Sequence, residues 1–575
     1  MKKLAKFLRP FRMPIIFVLL LVFLQTLSDL YLPTLMSDII DNGVVNGDIP
    51  YIWKIGGFML LVAAGGMICS ILASFFSAKA ATGFGRDLRE RVFSQVETFS
   101  QTEFDQLSTA SLITRTTNDI MQVQNVFMMM LRIMLMAPMM AIGGIIMALS
   151  KDTKLSLIFV VILPMLAGTI FLIARKGIPL FKEIQKKIDN VNRVLREKLI
   201  GVRVIRSFNR VGYEEKRFDQ ANSDLTETTI KVNKIMAAMM PVMMLILNFS
   251  SIAIVWFGGL RIDQGSMEVG DLMAFIQYAM QIMFSLIMVS MMFVMIPRAQ
   301  VSAVRINEIL TMESVIKNPE NSKRATQQKG YVEFQNVTFY YPGAESPAIS
   351  HINFEAKPGE ITAIIGGTGS GKSTLLNLIP RFYDVTDGKI LVDGIDIRDW
   401  DLEELRGKIG FVPQKNSLFT GTIADNLRFG KEDATEAELK RAIDIAQATE
   451  FIQEMKKGLN TEIAQGGTNV SGGQKQRLAI ARAIIRKPEI YLFDDSFSAL
   501  DFKTDAKLRA ALKGETKEAT VFIVAQRVST VMDADRIIVL DEGKIAGVGK
   551  HRELLQTCEV YHEIVSSQLS EEEIG

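Results

Sequence analysis

Over its first three hundred residues the chain alternates long apolar runs with charged stretches. The runs cover 14–32, 55–77, 133–149, 155–174, 237–260 and 272–296. They are too long for strands, and a bilayer core of about 30 Å needs roughly 20 helical residues to cross it. They are expected to form six membrane-spanning helices, since a soluble core would not call for six such runs. From 306 to 329 the chain turns polar, with Lys317-Asn318-Pro319-Glu320-Asn321-Ser322-Lys323. Beyond it the rhythm changes. Tyr331-Val332-Glu333-Phe334 alternates as a half-buried strand does, while Ile361-Thr362-Ala363-Ile364-Ile365 and Ile490-Tyr491-Leu492-Phe493-Asp494 read as short buried strands. The expected organisation is a helical membrane domain over 1–310, a linker over 311–330 and an α/β domain over 331–570.

Composition agrees with two unlike halves: 48% of residues are hydrophobic, yet 22% are charged. The net charge of +2 gives no ground for a nucleic-acid partner. Two cysteines, Cys69 and Cys558, and three histidines, His351, His551 and His562, make neither a disulfide framework nor a ligand cluster. Lys2, Lys3, Lys6, Arg9 and Arg12 precede the first apolar run; without a cleavage site, and with further runs following, this is an anchor rather than a signal peptide. Arg86, Arg89, Arg91 and Arg115 lie between the second and third runs, and Lys176, Lys182, Lys186, Lys187 and Arg193 between the fourth and fifth. The alternate connections carry Asp38, Asp41, Asp48, Asp263 and Glu268. The positive-inside rule then puts both chain ends in the cytoplasm of a cell bounded by a plasma (inner) membrane. Polar residues inside the runs, Gln25, Asp29, Asn248, Gln277 and Gln281, are expected to face the bundle or a water-filled path, with Asp29 equally able to sit at the outer boundary. Methionine pairs and triplets (128–130, 239–240, 243–244, 291–292) suit a surface that repacks around varied apolar cargo, although any single one is more simply expected to face lipid or fill a gap.

The chemistry sits in the second half. Gly366-Gly367-Thr368-Gly369-Ser370-Gly371-Lys372-Ser373 fits G-x-x-x-x-G-K-[ST] without mismatch, between a strand and a helix that Pro380 interrupts. Glycines let the loop's N–H groups wrap phosphate oxygens, Lys372 would meet the β- and γ-phosphates of ATP, and the Ser373 hydroxyl would hold Mg²⁺. Asp494, at the end of a buried strand, suits the same cation.

Further on, Val470-Ser471-Gly472-Gly473-Gln474-Lys475-Gln476-Arg477 opens a helix. It resembles the signature of ABC transporters, and the chain over nearly its whole length resembles an exporter-type half-transporter. The order of motifs carries the resemblance: Tyr341, the phosphate loop through Thr374, Gln414 in Phe411-Val412-Pro413-Gln414, the signature, Asp494, and Ser498-Ala499-Leu500-Asp501. Stretches 104–119 and 197–210 resemble the intracellular segments that touch the ATPase domains. The resemblance implies that Tyr341 stacks on adenine and that Gln414 reaches Mg²⁺ and the γ-phosphate. It also implies that Ser471, Gly472, Gly473 and Gln474 serve a nucleotide held by a second subunit. Two glycines at a helix start are an anion cradle in their own right, and the chain has no second phosphate loop to fill it.

Two positions depart from the family pattern at one place. Asp495 stands where the family has the glutamate that activates water, and Gln526 where it has the switch histidine. Gln465 also replaces a frequent glutamate. Asp is one methylene shorter than Glu, and glutamine cannot carry a proton's charge. The pattern resembles the degenerate-site subunit of a bacterial heterodimeric multidrug exporter: ATP binding kept, turnover at its own site slow, cargo amphiphilic or hydrophobic. A homodimeric lipid or peptide exporter, or an ATP-gated channel-like protein, are the alternative expectations.

Overall fold

A backbone in hydrocarbon has no water to bond, so apolar runs of this length can only satisfy their N–H and C=O groups as helices. The computed structural model describes residues 2–323 and 329–569, so residues 324–328 of the expected linker and residue 570 lie outside it. It folds as two units: Met1–Glu97 with Thr109–Met312, and Thr98–Ser108 with Glu313–Gly575.

Among the described residues, the first unit contains six helices long and apolar enough to cross a membrane, as the apolar runs predict. They are α1 (Arg12–Asp38), α2 (Ile49–Glu97), and, after the short α3 (Gln101–Leu107) of the second unit, α4 (Thr109–Lys151), α5 (Leu157–Ile200), α6 (Val211–Asp263) and α7 (Val269–Thr311). At 1.5 Å per residue the 49 residues of α2 reach about 74 Å, more than twice a bilayer core. The polar stretch from 306 does not end α7. Ile306 and Ile309 are fully buried and carry the helix to Thr311.

Large apolar side chains such as Leu60 and Trp256 are exposed on this unit, as lipid contact allows and water would not. Inside, Phe159 stacks on Phe275 with ring centres 5.2 Å apart, and the buried Tyr278 hydroxyl bonds Thr34 Oγ1 at 2.7 Å. Gln281 Nε2 donates to the Asp29 carbonyl at 3.0 Å, so that polar residue does face the bundle. Asn248 and Gln277 do not. Both side chains are exposed. The side chain of Met291 lies outside the described residues, so one of the methionine pairs is only half visible.

The second unit is α/β. An antiparallel sheet holds β1 (Val332–Phe339), β2 (Ile349–Ala356), β4 (Asp387–Val392) and β5 (Ile395–Asp396) in the order β2-β1-β4-β5. A mainly parallel sheet holds β3 (Ile361–Gly366), β6 (Ile409–Val412), β7 (Ile490–Asp494), β8 (Thr520–Val524), β9 (Arg536–Asp541) and β10 (Lys544–Gly549) in the order β10-β9-β3-β8-β7-β6. Alternation along these strands feeds two cores. Ala363, Ile365, Tyr491 and Phe493 point into one, and Ile364, Leu492 and Phe522 into the other. Strands covered on both faces are near-continuously apolar, which is why β3 and β7 read as unbroken runs.

Candidate nucleotide site

Open α/β sheets present their chemistry beyond the carboxyl ends of the parallel strands. Three such ends meet here. β3 leads into the glycine loop, which passes into α8 (Lys372–Leu378) at Gly371. Gly371 has φ +93°, and a Cβ there would lie 2.7 Å from the Ala348 carbonyl oxygen, so the turn requires glycine. Lys372 Nζ donates to the carbonyls of Gly366 at 2.9 Å and Gly367 at 2.6 Å, and Ser370, which is buried, places Oγ 3.5 Å away. The ammonium is thus curled over its own loop, and burial lowers its pKa.

β7 and β8 run parallel in a register that pairs Val524 with Asp494. The residues following each strand therefore emerge side by side. Ser373 Oγ donates to Asp494 Oδ1 at 2.9 Å. Gln526 Nε2 donates to Asp495 Oδ2 at 3.0 Å, and Gln414 Nε2 approaches the same oxygen at 3.5 Å. Both departures from the family pattern are in direct contact. Burial raises the pKa of Asp494 and of Asp495; a hydrogen bond from Ser373 opposes it at the first, and one from Gln414 at the second. Asp495 has φ +47°, a left-handed backbone that aspartate tolerates better than most side chains.

The Tyr341 hydroxyl bonds Thr374 Oγ1 at 3.0 Å. The ring of Tyr341 stands edge-on to Phe339 and to Tyr383, with centroids 4.9 and 5.4 Å away. Tyr383 in turn donates its hydroxyl to Asp105 Oδ2 of α3 at 2.6 Å. Burial, and after it the Asp105 carboxylate, push the Tyr383 pKa up, so it remains a donor at physiological pH.

Tyr341, Thr368, Gly369, Gly371, Lys372, Ser373 and Thr374 share one cavity of about 340 Å³ with Gln414, Asp494, Asp495 and Gln526. Two carboxylates and one ammonium give it a net acidic lining. Gly366, Gly367 and Ser370 shape the loop from behind. The four signature residues stand apart from it, at the start of α9 (Gly472–Ile485). Ser471 caps that helix: its Oγ accepts from Gln474 N at 3.3 Å, and Gln474 Oε1 accepts from Ser471 N at 2.9 Å. Ser471 and Gly472 are exposed. The link from Asp105 through Tyr383 to Tyr341 had no counterpart in the sequence pattern; only the placing of Asp105 in an intracellular stretch hinted at it.

Residues 15–286 match the ABC transporter transmembrane region, and residues 349–498 match the ABC transporter family. An uncharacterized ABC transporter ATP-binding protein of Mycobacterium tuberculosis is 45% identical, with 100% of this chain and 99% of the relative covered. The ATP-dependent lipid A-core flippase of Chromobacterium violaceum is 32% identical over 93% of this chain and 92% of its own. A solved bacterial Atm1-family ABC exporter with ATP bound superposes with a TM-score of 0.80 at 25% identity, covering 97% of this chain and 99% of that one.

Proposed function

The chain belongs to the ABC transporter family as an exporter-type half-transporter, a multi-span membrane region fused to an ATPase that hydrolyses ATP to drive export, and from that premise we propose that it is the slow-site subunit of a heterodimer. Transporters of this build act as dimers. In the reading advanced here the phosphate loop (366–374), Lys372 and Tyr341 bind ATP. Ser471, Gly472, Gly473 and Gln474 face the γ-phosphate of the nucleotide held by the partner. The membrane is the plasma (inner) membrane, both termini are cytoplasmic, and the functional domains are 1–310 and 331–570 joined by 311–330, with the excursion 98–108 folding with the second unit.

The observation that carries the reading is the Asp495–Gln526 pair, 3.0 Å apart at the cavity's catalytic end. A carboxylate that orients water for attack must reach the γ-phosphate. Asp495 is shorter than glutamate by about 1.5 Å, and its outer oxygen is occupied by a neutral amide. Misplacement by about 1 Å can cost roughly a hundredfold in rate. Nothing comparable disturbs Lys372 or the loop, so binding persists where turnover fails.

The donors also suit Mg²⁺. Ser373 Oγ and Asp494 Oδ1 already converge within 2.9 Å, Gln414 lies on the same side, and a hard cation takes oxygen ligands of this kind. When bound, Mg²⁺ supplies charge neutralisation at the phosphates. Ser373 and Asp494 would hold it, and Gln414 would orient toward it.

The cargo is proposed to be amphiphilic or hydrophobic, of multidrug type. The flippase relatives favour a second reading, a homodimeric exporter of lipid. One experiment separates them: tagged chain is purified from native membranes and its companion identified. The heterodimer predicts a second half-transporter in equal amount, bearing Glu and His at the positions of Asp495 and Gln526. Gly473→Glu in this chain then abolishes nearly all ATPase of the complex, since it puts bulk and negative charge where the partner's γ-phosphate docks. Isolation of the chain only with itself, turning over at the 1–100 s⁻¹ common for phosphoryl transfer, refutes the proposal.

A further inference from the structure

The chain enters its first span through a ten-residue 3-10 helix, Lys2–Phe11, that runs straight into α1. This segment is anchored. Leu4 is buried, and Phe11 packs so tightly on α2 that a Cβ on Gly83 would come within 2.5 Å of its ring. Phe11 and Ile15 also pack against the cluster formed by Val18, Val22 and Ala73. The side chains of Lys2 and Lys3 lie outside the described residues, but those of Lys6, Arg9 and Arg12 do not, and all three are exposed.

These three cations line a single groove of about 490 Å³, and its remaining walls are Leu8, Ile15 and Ile16. None of them forms an ion pair among the described residues, and the first acidic residue in the sequence is Asp29, far along α1. The groove thus has cations from the 3-10 helix, Lys6 and Arg9, and from the first residue of α1, Arg12, beside apolar walls of Leu8 and, one turn into the spanning helix, Ile15 and Ile16. A free phosphate would use only the cations. A zwitterionic lipid would bring a cation of its own to a site that already has three.

We propose that this groove binds an anionic phospholipid, its phosphate held by Lys6, Arg9 and Arg12 and its acyl chains laid along Ile15 and Ile16. Basic residues beside a span attract anionic headgroups, each strengthening the association roughly fivefold, so three together are worth about a hundredfold. Covering Ile15 and Ile16 adds the apolar contact that a soluble anion lacks.

The test uses the full-length transporter in nanodiscs of phosphatidylcholine containing a minor share of phosphatidylglycerol, with retained lipid counted by native mass spectrometry. Phosphatidylglycerol should be retained well above its bulk share. Each of Lys6→Gln, Arg9→Gln and Arg12→Gln should weaken retention about fivefold, and the triple variant about a hundredfold. Arg9→Lys with Arg12→Lys should keep most of it, which separates lost charge from lost fold. Millimolar glycerol phosphate should fail to displace the lipid. Displacement by that soluble anion, equal retention of phosphatidylcholine, or unchanged retention in the triple variant would each overturn the proposal.

Discussion

The slow-site reading can be tested by rebuilding the catalytic end. The perturbation is Asp495→Glu with Gln526→His, made in a complex whose fast site has been silenced by Gly473→Glu in this chain, so that residual ATPase reports on this chain's own loop. Glutamate extends the carboxylate by about 1.5 Å past the present Asp495 Oδ2, away from the amide that holds it at 3.0 Å. A misplacement of about 1 Å costs roughly a hundredfold, or about 2.7 kcal/mol at 1.36 kcal/mol per tenfold. Opposing this is the left-handed backbone at φ +47°. A non-glycine residue in an unfavourable region costs about 1–3 kcal/mol, but Asp495 already bears that cost, so glutamate adds only the difference. The histidine can donate as a cation, and charge-assisted hydrogen bonds are about twice as strong as neutral ones. The net expectation is a rise of ten- to a hundredfold in residual ATPase. Gln526→His alone should do little, because the carboxylate would still fall short. The assay is steady-state phosphate release, with nucleotide occupancy measured in parallel. An unchanged rate at full occupancy would show that reach and charge at these two positions do not limit this site.

Two further changes probe the same cavity. Lys372→Ala removes the ammonium from the loop; a charged hydrogen bond is worth about 1.5–3 kcal/mol, so labelling by a photoreactive ATP analogue should fall roughly tenfold or more, and undiminished labelling would sink the loop's assignment. Tyr383→Phe keeps the ring against Tyr341 but deletes the 2.6 Å bond to Asp105. Because Asp105 is exposed, the loss should be about 1 kcal/mol, a drop of roughly 2–4 °C in the ATPase unit's calorimetric midpoint, and no drop would mean that water replaces the bond at no cost.

What was legible in the sequence was whatever one stretch of chain encodes alone. Six apolar runs became six helices because a bilayer leaves the backbone no other choice, and the loop from Gly366 to Ser373 carries its own turn chemistry. Asp495 and Gln526 were each visible as departures, but their contact was not. It follows from β7 and β8 lying side by side with Val524 against Asp494, a register set by two cores and by no local motif. The Asp105–Tyr383 bond, between residues 278 apart in sequence, is of the same kind. Asn248 and Gln277 show the converse limit. A polar residue in a span is expected to face protein, yet these two are exposed on the single chain, and nothing in the local pattern separates them from Gln281, which does face the bundle.

The geometry also explains how a site could lose turnover and keep its ligand. On the proposed reading, binding is spread across many groups: the glycine loop's N–H donors, Lys372, the Tyr341 ring braced by Phe339 and Tyr383, and the oxygens of Ser373 and Asp494. No single change removes them all. On the same reading, orienting water falls to one carboxylate just past β7, Asp495, and one side chain beyond β8, Gln526. A change at those two positions would then leave affinity largely intact but multiply directly into rate, since only interactions made in the transition state raise turnover. On the proposed reading, ATP held here keeps the dimer's two ATPase units together through cycles run at the other site. The exposed cap at Ser471 and Gly472 is then the part of this chain that serves fast turnover, because it completes a site belonging to the partner.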